Sequence, residues 1–375
     1  MMVRLRPWPD PNPATAVLWG QVWGLATMLA AILFSFMIYG FYQPTILNAL
    51  GFGGLASQWA IFQGILGFAI EPAFGGFSDR ILVRTGSRLP QITVGVTIAG
   101  ALFVLLSFAI PLQGYSVLRW PLLVMMTLWL IAMIAIRGPV VALLRQMAPV
   151  EQLPNANAII ILVLGLVAAL GPLLETLLNT RSASVAFMLG AIALMLAATR
   201  LAQTAVPPLP AMTFDRGHLL RQYGGRLGWM VVVGIETGCL LNLALSTLPG
   251  LLNPSLPQLS PGSLTAISLL ITALTANPWG WLTPRWGSAK ALQLGLGAVA
   301  VLCFLSSLGL ASLSAVAAIG LLIATGAAMG LVFINMVPFA LSYVPLPLTG
   351  LSAGLFFGGN GLGAALVLIW QQLGH

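Results

Sequence analysis

Eleven runs of 21 to 31 residues, almost free of charge, follow one another along this chain. They lie at about 16–41, 55–78, 91–111, 119–143, 157–178, 183–203, 227–250, 262–283, 289–310, 313–343 and 349–372. Wound into a helix at about 1.5 Å per residue, each run is long enough to cross a hydrocarbon layer roughly 30 Å thick. The runs are continuous and do not alternate, which excludes the strands of a membrane barrel. Apolar residues make up 59% of the 375 residues and charged residues 6%, with a mean hydropathy of +1.01. That composition leaves no charged exterior for a water-soluble domain. The expected fold class is an all-α integral membrane protein with about eleven transmembrane helices.

A net charge of +8 on its own suggests nucleic acid, but the distribution of the charges points elsewhere. With the N-terminus inside, the inner connections hold Arg4, Arg6, Arg80, Arg84, Arg88, Arg145, Arg200, Arg216, Arg221, Arg226, Arg285 and Lys290. The outer ones hold Arg119 and Arg181 alone. This 12-to-2 split is the positive-inside pattern, so the basic residues set topology and no nucleic-acid partner is expected. The N-terminal MMVRLRPWPDPNP precedes a first run too long for a signal-peptide core. Cys239 and Cys303 fall within apolar runs and read as packed thiols.

The stretch at 204–226, with AVPPLP followed by Asp215, Arg216, His218, Arg221 and Arg226, is the longest inner connection. It divides the chain into a six-helix bundle (1–203), a linker and a bundle of about five helices (227–375). The halves echo each other. Pro139, Pro149 and Gly165 mark the fourth run, the next loop and the fifth run; Pro338, Pro345 and Gly361 mark the tenth run, its loop and the eleventh. Loop proline and glycine are 16 residues apart in both. Six runs separate the copies, so both have the same orientation, as parallel repeats require. A complete repeat would have a twelfth helix; with eleven, the C-terminal WQQLGH is expected outside. In the last run, Gly354 with Gly358 and Gly359 with Gly363 form small-xxx-small pairs suited to close helix packing.

One inner turn carries a denser pattern. Residues 71–92 read EPAFGGFSDRILVRTGSRLPQI, and 280–290 read GWLTPRWGSAK between two later runs. Asp79 falls where the second helix runs out. A carboxylate there can accept from the free N–H groups at a neighbouring helix start, with Arg84 or Arg88 closing an ion pair. Such a latch would hold the halves together on the inner side; the simpler reading is a helix cap that also sets topology.

This segment resembles the turn between the second and third helices of the major facilitator superfamily. More narrowly, it is similar to that of the glycoside–pentoside–hexuronide cation symporters and plant sucrose transporters. The matching residues are Glu71-Pro72, Gly75, Ser78-Asp79-Arg80, then Arg84-x-Gly86-x-Arg88-x-Pro90. The resemblance implies a two-bundle fold and a secondary active transporter working by alternating access. It also implies a small organic solute and a coupling ion as partners, a bacterial inner-membrane location and no cofactor; a monomer is expected. Gly75, Asp79, Arg80, Arg84, Gly86 and Arg88 would form the cytoplasmic gate. Glu71 would stand at the cation site, and Arg137 where those symporters carry a sugar-binding acid.

Four ionisable residues fall within the runs: Glu71, Arg137, Glu175 and Glu236. Charges there are costly, which makes them functional candidates. Glu175 is close enough to the outer end to reach water. Glu71, Arg137 and Glu236 lie eight to ten residues from the inner basic residues, roughly 12–15 Å deep. An arginine beside Glu71 disfavours Na⁺ and favours an anionic group or an ion pair, so H⁺ is the expected coupling ion. Gln21, Gln63, Asn242, Asn277, Asn335 and Asn360 are candidate cavity amides; Tyr39, Trp59 and Trp129 are candidate aromatic platforms or interface anchors. The sequence has no phosphate-binding loop, His-Glu-x-x-His or cysteine cluster, so no enzyme is expected. The alternative to transport is a non-transporting membrane assembly or pigment-delivery factor of the light-harvesting assembly type, which shares a similar Ser-Asp turn.

Overall fold

The structure, a computed structural model, describes residues 16–112, 114, 116–204, 215–307 and 314–373. Arg4, Arg6, His375 and residues 205–214 of the 204–226 connection lie outside these. Thirteen helices are present among the described residues, with no strand. The first half comprises α1 (Trp19–Ala49), α2 (Gly53–Thr85), α3 (Leu89–Ala109), α4 (Arg119–Ala142), the single turn α5 (Leu144–Met147), α6 (Leu153–Ala169), α7 (Gly171–Asn179) and α8 (Ala183–Gln203). The second comprises α9 (Arg216–Leu252), α10 (Pro261–Leu282), α11 (Ser288–Ser307), α12 (Ala315–Ser342) and α13 (Thr349–Leu373). Among the described residues ten helices are long and apolar enough to cross a membrane, one fewer than the eleven runs expected; α10, flanked by α6 and α12, is not among them. Large apolar side chains such as Phe68, Phe77, Phe108, Leu196 and Phe304 are exposed on the outer surface, as lipid contact requires.

Two elements differ from the hydropathy pattern. The fifth run breaks into α6 and α7 at Leu170, because Pro172 has no N–H to continue the ladder. Helix α9 begins at Arg216, so it takes in residues 216–226 that read as linker. Asp215 caps it, accepting from the His218 N–H at 3.2 Å. Arg221, Gln222 and Tyr223 are acceptable helix formers, but their polarity hides them from a hydropathy scan.

The helices form two bundles that meet along two extended pairs. In the first bundle α1 packs on α6 and α8, α3 on α4 and α8, and α2 on α4; in the second α9 packs on α13 and α11, and α12 on α10 and α11. Between bundles, α2 lies along α13 and α6 along α10. Glycines make these pairs close and show the internal two-fold. A Cβ on Gly361 of α13 would contact Gly64 of α2, and one on Gly165 of α6 would strike Ala273 of α10. Likewise Gly75 faces the Gly350 carbonyl oxygen and Gly280 the Pro154 carbonyl oxygen. The two charged turns match as well: Gly86 (φ 73°) and Gly287 (φ 81°) both take the left-handed conformation that ends α2 and releases the chain before α11.

Helix α13 is wedged between α2 and α9 by two glycine faces. Gly354 and Gly358 abut the α2 backbone at Glu71 and Phe68, whereas Gly359 and Gly363 abut α9 near Val231 and Ile235. The close approach predicts that Gly75→Val separates α2 from α13, because its side chain would collide with a backbone carbonyl that cannot rotate away. Overpacking of this kind costs about 1–3 kcal/mol or more. A thermal melt of the purified variant should show a clear fall in midpoint; an unchanged melt would mean that the pair is not so tightly apposed.

Tyr39, Trp59 and Trp129 are neither interface anchors nor cavity platforms. All three are buried in the first bundle. Trp129 is sandwiched between Tyr39 (centroids 4.5 Å) and Phe103 (4.2 Å), and Phe103 meets Phe187 edge-on. Ring stacking in a tight helical core, and not an amphipathic position, accounts for Tyr39 and Trp129.

Candidate functional site: a central cavity and an inner latch

Glu71 precedes Pro72 on α2, at the level where Gly354 of α13 abuts the α2 backbone, and is 1% exposed. Its Oε1 accepts from Nη2 of Arg137 on α4, while Oε2 is buried with no hydrogen-bond partner. Arg137 is different: about a third of its side chain is exposed, and its guanidinium lies 5.8 Å from the Phe357 ring centroid on α13. Arg137 therefore separates a buried carboxylate from an open space.

That space is a cavity of about 350 Å³ between the bundles, walled by α1, α4, α6, α10, α12 and α13. Apolar side chains such as Ile32, Phe36, Ile160, Phe333 and Met336 form most of the wall. The polar lining consists of Arg137, Asn157, Thr272 and Asn360. Thr272 donates to the Gly326 carbonyl at 3.0 Å, and Asn157 donates across the bundles to the carbonyls of Phe333 (3.2 Å) and Ile334 (2.9 Å). Asn157 Oδ1 is buried without a partner. Sequence reasoning missed Asn157 because it falls at the first residue of its apolar run, where an amide reads as a flank.

Among the predicted amides, Asn360 faces the cavity. Asn335 is buried elsewhere and donates to Thr283 at 3.2 Å; Asn277 is exposed. Glu236 is not brought to this site. It is exposed on α9, two residues from both Gly234 and Gly238, which face α13. A two-residue step rotates a helix by about 200°, so Glu236 points away from the bundle contact.

The Asp79 turn forms a second centre. Its carboxylate accepts from the N–H groups of Gly350 and Leu351, both at 2.8 Å, in the first turn of α13, and from Arg88 Nη2 at 2.7 Å. These backbone N–H groups have no partner within their own helix and carry its positive dipole end. Arg88 is fully buried and also donates to Ser78 Oγ (2.9 Å) and Thr349 Oγ1 (2.8 Å). Arg88, and not Arg84, thus closes the pair; Arg80 and Arg84 are exposed. Gly75 permits the approach and Gly86 the reversal that returns Arg88 to Asp79. No group of metal-binding side chains is found among the described residues.

Comparison with known proteins agrees with this architecture. Three solved structures align over nearly the whole chain. A human organic anion transporter (TETRAN) has a TM-score of 0.70 at 13% identity, covering 93% of this chain and 92% of that one. The E. coli fucose:proton symporter has a TM-score of 0.67 at 12% identity, with 94% and 92% covered. A bacterial homologue of the iron transporter ferroportin, in an outward-facing state, has a TM-score of 0.63 at 13% identity, again with 94% and 92% covered. At these identities the likeness is one of fold. No curated protein sequence matches the chain. The sequence profile of the Major Facilitator Superfamily matches residues 25–368, and together with the two bundles and their shared cavity this makes the chain a member of that superfamily.

Proposed function

We propose that this protein is a proton-coupled secondary transporter that carries a small, largely apolar organic solute with an anionic group. The observation that supports this most is the position of Arg137, the one charged residue in the cavity wall among the described residues, backed by buried Glu71. A guanidinium open to an apolar space favours a carboxylate-like group, and leaving it unmatched on binding would be costly. When a solute anion engages Arg137, Glu71 loses its counter-charge, and protonation becomes the less costly state for a carboxyl with one oxygen already unpartnered. Proton and solute would thereby be linked through a single side chain.

Alternating access needs a gate at each end. Asp79, Arg88 and the start of α13, aided by Asn157, serve as the gate at the arginine-rich end, which the positive-inside pattern makes cytoplasmic. The same pattern argues for an N-terminus in the cytoplasm, and the resemblance of the 71–92 turn to the symporters argues for a bacterial inner membrane. Arg137 in place of an acid argues for a solute unlike the neutral sugars of that branch.

The reading is tested by a thermal-stabilisation screen of the purified protein against paired organic monocarboxylates and their neutral amides, at two pH values. Carboxylates should raise the midpoint of the wild type more than their amides do, and the difference should vanish in Arg137→Gln. Equal stabilisation by acids and amides in both proteins would refute the anionic solute.

A further inference from the structure

Beside the latch lies a smaller cavity, of about 130 Å³, that the gate does not use. Arg80 and Arg84 reach it from α2, Arg216 from the start of α9, and Asp79 forms part of its wall. It therefore spans the two halves. Arg216 crosses to α2 so closely that a Cβ on Gly76 would stand 3.1 Å from its Nη2.

Among the described residues the charges do not balance. The Asp79 carboxylate is taken up by Arg88 and two backbone N–H groups. None of Arg80, Arg84 and Arg216 makes an ion pair among the described residues, and Arg216 Nη1 is buried without a hydrogen-bond partner. Asp215, next to Arg216 in sequence, is turned to the His218 N–H as a helix cap. Residues 205–214 contain no acidic side chain to fill the gap. Three guanidiniums converge on one concave site at the end of the membrane spans, where each basic residue near a membrane surface attracts anions. Guanidinium forks match the oxygens of a phosphate group.

We infer that this cavity binds a phosphate group, supplied either by an anionic phospholipid headgroup or by a soluble phosphate. Because Arg80 and Arg84 belong to one half and Arg216 to the other, a bound phosphate cross-links the halves at the latched end. Occupancy thus favours the state in which Asp79 is engaged.

The test reads binding and not transport, so its result is independent of the solute reading. Full-length purified protein is titrated with dioctanoyl phosphatidylglycerol, dioctanoyl phosphatidylcholine or inorganic phosphate while the melting midpoint is followed. Phosphatidylglycerol or inorganic phosphate should raise the midpoint saturably. Arg216→Gln and Arg84→Gln should each weaken half-saturation about fivefold, the equivalent of roughly 1 kcal/mol per arginine. Arg285→Gln, an exposed arginine elsewhere on the chain, should leave it unchanged. A response to the lipid alone identifies a headgroup as the source, and a response to inorganic phosphate identifies a soluble anion; either supports the site. If Arg216→Gln does not fold, Arg84→Gln, at an exposed position, carries the test. Identical half-saturation in wild type and variants, or phosphatidylcholine acting as well as phosphatidylglycerol, would overturn it.

Discussion

Glu71→Gln is expected to abolish accumulation of solute against its gradient while leaving exchange of solute for solute intact. The amide keeps the size of the side chain and resembles the protonated acid, but it can neither take up nor release a proton. A carrier locked in that form still cycles when solute is bound on both sides, yet it cannot couple the cycle to a pH gradient. Proteoliposomes loaded with solute would show exchange, and the same vesicles given a pH gradient would show none of the wild-type uptake. Uptake driven by a Na⁺ gradient at clamped pH, and indifferent to Glu71→Gln, would sink the proposal.

The two members of this pair respond unequally to removal. Arg137 is one-third exposed to the cavity, so water can solvate it when Glu71 is neutralised. Glu71 is fully enclosed, so Arg137→Ala strands a carboxylate with no partner. Breaking a buried pair in this way typically costs about 3–5 kcal/mol unless the acid protonates. The double variant Arg137→Ala/Glu71→Gln should accordingly melt higher than Arg137→Ala alone. Equal melting points would show that Glu71 does not depend on Arg137 for its burial.

The long apolar helices, the Gly354/Gly358 and Gly359/Gly363 contacts and the repeat of Pro149–Gly165 in Pro345–Gly361 were legible in the sequence because each follows from a local constraint. Lipid demands long apolar runs, close backbones demand glycine, and a duplicated bundle repeats both. That Asp79 would accept from a neighbouring helix start followed from the same kind of reasoning, since free N–H groups and a helix-end carboxylate are complementary, but which helix it meets, α13, did not. What could not be read was direction. Depth alone placed Glu71, Arg137 and Glu236 together, but rotation about the helix axis separates Glu236 from the other two. Periodicity does not resolve this in a helix that is apolar on every side. The Tyr39–Trp129–Phe103 stack and the reach of Asn157 across the bundles depend on tertiary packing, which no single helix encodes.

Asp79→Ala should shift the protein toward a conformation open at the arginine-rich end. The carboxylate accepts from three N–H donors, one of them on Arg88, whose side chain is wholly buried. Deleting it strands a buried guanidinium, a loss of about 3–5 kcal/mol in comparable pairs. It also orphans two N–H groups of α13, for which the loss of a cap is worth roughly 1 kcal/mol. The two N–H contacts join α2 to α13, and Arg88, whose pair with Asp79 lies within the first half, donates across the divide to Thr349, so the guanidinium is stranded in a buried site only while the two halves are together at this end. The loss therefore falls on the latched state, and at about 1.4 kcal/mol per tenfold it moves the equilibrium by two orders of magnitude or more. Asp79→Asn keeps an acceptor oxygen for the helix start but discards the charge that Arg88 needs, and should fall between wild type and alanine. Spin labels at the exposed positions 85 and 222 would report the separation of α2 from the start of α9. A longer distance in Asp79→Ala, partly reversed by adding Arg88→Met to remove the stranded charge, is the expected result. A wild-type distance distribution in Asp79→Ala would reduce Asp79 to a cap on α13 with no part in gating.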